Sequence, residues 1–162
     1  IVGVVSDTHN NIKNIKKIID LFNETQVELV IHTGDITKAE TLRIFSELNA
    51  PLVGVYGNND RIEEGLEEVC VEYNFNFQEP PLAINLKNKK IVVFHEPDLI
   101  KDYIKTHKDI DLILHGHTHR YKEEEIDKTV YFNPGESAGS MEGKSALGIV
   151  NLNNLEIKRI FF

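Results

Sequence analysis

Three short apolar runs, each closing on a cluster of turn-forming and ionisable residues and each followed by a helical segment, constrain this chain more than any other feature. Ile1 to Val5 ends in Ser6-Asp7-Thr8-His9, after which Ile12, Ile15, Ile18, Ile19 and Phe22 recur at helical spacing. Val27 to Ile31 ends at Thr33-Gly34-Asp35, and Leu42, Phe45 and Leu48 form the apolar stripe of the next helix. Leu52 to Tyr56 ends at Gly57-Asn58-Asn59-Asp60, and the acidic segment from Ile62 to Cys70 reads as a third helix. Strands separated by helices must be joined by right-handed crossovers, so this half predicts a parallel sheet.

The second half is richer in strands. Leu82 to Leu86 and Ile91 to Phe94 flank Lys87-Asn88-Lys89-Lys90 and read as a hairpin. Pro97 suits the first turn of a helix reaching about Thr106, and Asp111 to Leu114 is a buried strand ending in His115-Gly116-His117-Thr118-His119. Thr129 to Phe132, Ala146 to Leu152 and Leu155 to Phe161 complete the strands, the last two joined at Asn153-Asn154. Glu123-Glu124-Glu125 reads as a solvated charge run. An α/β half followed by a β-rich half predicts two packed sheets with helices outside them.

The chain has 162 residues, which suits one domain over 1–162 with a core large enough to need no staple. Its formal net charge of -8 repels polyanions, which excludes a dedicated nucleic-acid or anionic-membrane binder. Any phosphate chemistry must therefore be local. The one cysteine, Cys70, cannot form an internal disulfide, and no signal peptide or long apolar span is visible, so a cytoplasmic protein is expected.

Position carries the functional signal. Asp7 and His9, Asp35, Asn58, His95, and His117 and His119 each follow an apolar strand directly, where ligand crevices form in open α/β sheets. Aspartate supplies a hard anionic oxygen, histidine a neutral nitrogen and asparagine a carbonyl, a mixed N/O set suited to Mn, Fe, Ni or Zn. Asp-x-His and His-x-His send alternate side chains to one side of an extended chain, so each pair can address one metal region. Each fragment alone is common by chance. The complete ordered set is not.

That set resembles the calcineurin-like metallophosphoesterases, whose pattern is Asp-x-His, Gly-Asp, Gly-Asn-His-Asp/Glu, a single His and Gly-His-x-His. Here it stands as Asp7-Thr8-His9, Gly34-Asp35, Gly57-Asn58-Asn59-Asp60, His95 and Gly116-His117-Thr118-His119. Asn133-Pro134-Gly135-Glu136 is similar to a segment of the family's small prokaryotic phosphodiesterases. The resemblance implies a four-layer αββα sandwich. It implies two divalent transition-metal ions, Mn first, with Ni, Fe, Co or Zn as alternatives. One ion is expected on Asp7, His9, Asp35 and His119 and the other on Asp35, Asn58, His95 and His117, with Asp35 as the bridge. The implied reaction is hydrolysis of small, nucleotide-like phosphodiesters by a metal-bridging hydroxide. Asp35, Asn58 and Asn59 are expected around the reacting ester, with Asn59 and Arg120 toward substrate. A homodimer is the one protein partnership expected.

Two positions depart from the family pattern. Asn59 replaces the usual histidine, and an amide cannot serve as a general acid, so either the metals act alone on esters with acidic leaving groups or another group supplies the proton. Asp60 reads first as a turn carboxylate. Glu96 stands where glycine is expected after His95. His32 and His115 read as supporting histidines, and Arg61 and Arg120, each following a motif, are candidate phosphate clamps. Two other functions fit the same fold: a phosphomonoesterase, and a non-catalytic scaffold resembling the retromer subunit.

Overall fold

The computed structural model describes residues 1–162. Its elements run β1 (Val2–Val5), α1 (Ile12–Thr25), β2 (Leu29–His32), α2 (Ala39–Ile44), β3 (Leu52–Val55), α3 (Leu66–Tyr73), β4 (Asn76–Gln78), β5 (Leu82–Leu86), β6 (Lys89–Val93), α4 (Ile100–Thr106), β7 (Leu112–Leu114), β8 (Lys122–Ile126), β9 (Thr129–Asn133), β10 (Ala146–Asn151) and β11 (Glu156–Phe161). Short 3-10 turns extend α2 at Phe45–Glu47 and precede α4 at Pro97–Leu99.

Two mixed sheets form, as the sequence predicts. The six-stranded sheet has the order β11-β10-β1-β2-β3-β4, with β1 to β4 mutually parallel and β10 antiparallel to β1. The five-stranded sheet has the order β5-β6-β7-β9-β8, with β6, β7 and β9 parallel. The central strands are buried on both faces, so their side chains alternate between two cores instead of between core and water. Val2, Val4 and Ile31 meet Ile91, Val93, Leu112, Leu114 and Phe132 between the sheets. Val5 and Val30 face outward into the layer made by Ile15, Ile18, Ile19 and Phe22 of α1, Leu42 of α2 and Val69 of α3. Val92, Phe94 and Ile113 form the outer core against Ile100 of α4. These three apolar layers define the αββα sandwich.

Local chemistry sets several boundaries. Helix α1 is capped by Asn11, whose side chain accepts the Asn14 N–H at 3.1 Å. The β5–β6 hairpin turns on Lys87 and Asn88, both at positive φ (50° and 61°), tighter than the four-residue turn read from the sequence. Helix α3 starts at Leu66 and not at Ile62, because Gly65 takes a left-handed φ of 87° and Ile62 lies 83% exposed. Two strands escaped the sequence reading. β4 has only three residues, and β8 contains the glutamate run, whose lack of an apolar face suits an edge strand paired on one side to β9. No helix is long and apolar enough to cross a membrane.

Candidate metal centre

Parallel pairing brings the strand ends together. Because β1, β2 and β3 run the same way, Asp7, Asp35 and Asn58 leave the same edge of the first sheet, and His95, His117 and His119 leave the second sheet after β6 and β7. Main-chain bonds lock the loops within each sheet: Asp7 N–H to Gly34 O at 3.0 Å, His9 N–H to Asp35 O at 2.9 Å, and Gly116 N–H to His95 O at 3.0 Å. Further bonds join the two sheets at this edge, to the Asp7 and Thr33 loops as well as to Asn58. His95 Nδ1 lies 2.8 Å from Thr33 O, and the His117 N–H donates to Asp7 Oδ2 at 3.1 Å.

Backbone strain concentrates here. Asp7, His9, Asp35, His117 and His119 take φ values of 50°, 45°, 60°, 67° and 58°, a left-handed region that non-glycine residues enter at a cost. The surrounding fold holds these five residues in that region at one edge of the two sheets.

The side chains converge in overlapping groups. Asp35 lies between two histidines, with Oδ2 3.9 Å from His9 Nε2 and Oδ1 3.5 Å from His95 Nε2. Asp7 Oδ1 lies 3.3 Å from His119 Nε2. Asn58 Oδ1 is 2.9 Å from His95 Nε2 and 3.1 Å from His117 Nδ1. Asp7, His9 and His119, and separately Asp7, Asp35 and His95, each place one ligand-type atom per residue within 4.8 Å of one another. Asp7 thus belongs to both compact groups, while Asp35 contacts a histidine of each expected coordination set.

The carboxylates and imidazoles perturb each other. Burial is the largest influence on Asp35 and opposes its ionisation, but the His95 hydrogen bond and charge, with two N–H groups of Asn59, overcome it and hold the carboxyl well below its usual range. Burial likewise pulls His95 down, yet Asp35 outweighs it and the imidazole is raised above its ordinary value. His119 is raised by its bond to Asp7. His95 meets the Thr33 carbonyl through Nδ1 and Asn58 Oδ1 through Nε2, so a proton on Nδ1 leaves Nε2 as the nitrogen turned toward the site. A cation facing Nε2 would take the place of any proton there.

The residues fit a cation by a second criterion. Asp7 Oδ1 is buried and meets only the His119 imidazole, at 3.3 Å and outside good hydrogen-bond geometry, so a cation there would satisfy a carboxylate oxygen that the protein itself serves poorly. Glycines let the backbone close around both carboxylates. A Cβ on Gly57 would overlap Asp35 Oδ1, and one on Gly116 would overlap Ser6 Oγ and approach Asp7 Oδ2 to 2.8 Å.

The remaining candidates separate by environment. Asn59 is turned into Asp35, donating its main-chain N–H to Oδ1 at 3.0 Å and its amide to Oδ2 at 2.8 Å. Asp60 is buried and accepts the N–H groups of Asp35, Thr37 and Gly57 at 2.8, 2.6 and 2.7 Å. Burial pushes its carboxyl up against those donors. Glu96 is engaged by Arg61 at 3.2 Å, and Arg61 also binds Glu79 at 3.1 Å. His32 supports the site from behind: its Nδ1 accepts the Gly34 N–H and its Nε2 meets Thr8 Oγ1, both at 3.0 Å, and burial lowers its pKa to about 3. His115 is buried beneath the His117–His119 loop, and burial lowers it too.

Three supporting residues carried no functional reading in the sequence. Ser6 Oγ donates to Asp7 Oδ2, Thr37 Oγ1 lies 3.4 Å from His9 Nδ1, and Asn133 donates to Gly116 O at 3.1 Å and Thr118 Oγ1 at 3.2 Å. Only Asn133 had a local signal, its place before Pro134-Gly135 in a segment already similar to the family's.

Comparison with known proteins extends these findings. Residues 1–154 match the calcineurin-like phosphoesterase superfamily domain. A phosphodiesterase of Methanocaldococcus jannaschii is 32% identical over 165 residues, covering 98% of this chain and 97% of that protein. A solved structure described as a novel archaeal phosphodiesterase superposes with a TM-score of 0.88 at 32% identity, covering 99% of each chain. Wild-type Vps29 of Entamoeba histolytica, solved with zinc, shares the fold at a TM-score of 0.67 and 20% identity, covering 99% of this chain and 97% of that one.

Proposed function

Because the chain belongs to the calcineurin-like phosphoesterase superfamily, we propose that it is a dinuclear metal-dependent phosphodiesterase that hydrolyses small, nucleotide-like phosphodiesters. The observation that supports this most is the placement of Asp35 between His9 and His95, at the edge where Asp7, Asn58, His117 and His119 also converge. Asp7, His9, Asp35 and His119 would hold one ion and Asp35, Asn58, His95 and His117 the other, with Mn the first candidate and Ni, Fe, Co and Zn the alternatives. Such ions lower the pKa of water and neutralise phosphate charge, which a protein of net charge -8 does not otherwise supply.

The chain's own residues fix the geometry for that chemistry. Asn59 and Asp60 grip Asp35 from its side chain and its main chain respectively, so the carboxylate has little freedom to rotate. Ser6 and the His117 N–H both engage Asp7 Oδ2, which leaves Oδ1 directed into the site. The His95 Nδ1–H donates to Thr33 O and orients Nε2 toward Asn58 and Asp35. Since the Asn59 amide is committed to Asp35 and cannot transfer a proton, the substrates served best are diesters whose leaving group departs without protonation.

Elemental analysis of the protein as isolated, with matched aryl mono- and diesters assayed under each of the five metals, tests this reading. The diester is expected to turn over, chelation to abolish the activity, and Asp35→Asn to lower it by at least roughly a hundredfold. Activity on the monoester alone would make the protein a phosphomonoesterase. A metal-loaded protein inert toward both esters would remove the catalytic reading.

A further inference from the structure

The two arginines that flank the metal edge are not equivalent. Arg61 is neutralised by Glu79 and Glu96, and the hollow of about 380 Å3 beside it is lined by Glu63, Glu64, Glu67 and Glu68. That flank repels anions. Arg120, which follows His119, is exposed and no carboxylate pairs with it; only its main-chain N–H is engaged, by Thr118. It borders a cleft of about 520 Å3 lined also by Pro97, His115, Thr118, Tyr121 and Lys122. Thr118 separates the two histidines of the site and Pro97 lies two residues after His95, so the cleft adjoins the metal edge along the backbone.

Tyr121 within this cleft is exposed yet held. The Arg159 guanidinium lies over its ring at 4.5 Å, Phe132 meets it edge-on with centroids 6.5 Å apart, and its hydroxyl donates to Glu123 at 2.7 Å. Arg159 is itself anchored by its Nε–H to Pro134 O at 2.9 Å. An aromatic ring fixed on three sides and half open to solvent needs little further ordering to bind a flat partner.

We propose that this cleft takes the non-leaving substituent of the substrate and selects one that combines a planar ring, laid against Tyr121, with a second anionic group paired to Arg120: a nucleotide carrying an additional phosphate. The inference rests on the phosphodiesterase reading for the fate of the ester. Recognition in the cleft is separable from that chemistry.

Calorimetric Kd values on the Mn-loaded protein test it, with methyl phosphate, thymidine 5′-phosphate and thymidine 3′,5′-bisphosphate as ligands. The ring is expected to tighten binding roughly five- to tenfold over methyl phosphate. The second phosphate is expected to add roughly tenfold more. Arg120→Gln should bring the bisphosphate-to-monophosphate ratio toward one, and Tyr121→Leu should do the same for the nucleotide-to-methyl ratio. A bisphosphate bound no tighter than the monophosphate, or ratios unchanged in the two variants, overturns the proposal. Hydrolysis of p-nitrophenyl esters of methyl phosphate and thymidine 5′-phosphate, measured on the same samples, keeps the two readings apart. Binding as expected without hydrolysis removes the phosphodiesterase and leaves the cleft, whereas hydrolysis without ligand discrimination does the reverse.

Discussion

Asp60 Oδ2 accepts the main-chain N–H of Asp35 at 2.8 Å, so a buried carboxylate outside the expected metal sets fixes the backbone of the residue at their centre. The same side chain takes the N–H groups of Gly57 and Thr37, tying the loops after β2 and β3 into one unit. Asp60→Asn replaces one acceptor oxygen by an N–H that faces other N–H groups. It is expected to cost about 2 kcal/mol of stability and to weaken metal binding roughly tenfold or more. Urea unfolding of chelated protein reads the first effect and a metal titration the second; an Asn variant indistinguishable in both would show that these bonds contribute nothing net.

Gly116 lies against the first carboxylate in the same way that Gly57 lies against Asp35. A methyl group there would crowd Asp7 Oδ2 at 2.8 Å and Thr33 Oγ1 at 2.9 Å as well as Ser6. Gly116→Ala is therefore expected to destabilise the fold by about 1–3 kcal/mol and to lower metal occupancy, since relief requires Asp7 or the His117 loop to move. Thermal unfolding with and without Mn separates the two effects: the gap between the loaded and metal-free midpoints should shrink.

Replacing Asn59 by histidine restores a group that can carry a proton to the departing oxygen, while removing the amide bond to Asp35. Across a series of aryl methyl phosphates, wild-type rates should fall steeply as the leaving phenol becomes less acidic. In Asn59→His that dependence should flatten, with a gain of about tenfold or more for the poorest leaving groups. Parallel plots for the two proteins would mean that proton donation does not limit this enzyme.

His32 links stability to pH. Burial holds its pKa at about 3 in the folded protein, below the unfolded value near 6.5, so the unfolded chain binds the extra proton between those limits. The neutral ring's contribution is full above pH 6.5 and is lost as the pH falls toward 3. Each pH unit below 6.5 costs about 1.4 kcal/mol, or roughly 2 kcal/mol by pH 5. His95 and His119, whose pKa values are raised, contribute stability that is already full below pH 6.5 and is lost only as the pH rises above it, so the acid-side window belongs to His32 and is isolated by the difference between proteins. His32→Asn, which retains an acceptor for the Gly34 N–H, should lose less stability than wild type between pH 6.5 and 5 in chelator. Equal losses in urea midpoint would place the acid sensitivity elsewhere.

The order of the main strands and helices, the two packed sheets and the seven candidate ligands were all legible in the chain. These were legible because each strand announces itself by a local apolar run and each of the seven follows such a run directly, so parallel pairing is enough to gather them. The remaining features depend on groups far apart in the chain. Nothing local tells that Asp60 serves the backbone of Asp35, that Asn59 is bound to Asp35 through both its N–H groups, or that Asn133 supports the loop of His117 and His119. The short strand β4 and the glutamate-rich β8 were hidden for a related reason: their conformation comes from pairing with β3 and β9 and not from a period of their own. Arg61 and Arg120 looked alike beside their motifs. Folding brings Glu79 and Glu96 to the first and no carboxylate to the second, and that long-range difference in charge pairing neutralises Arg61 while leaving Arg120 free to meet an anion.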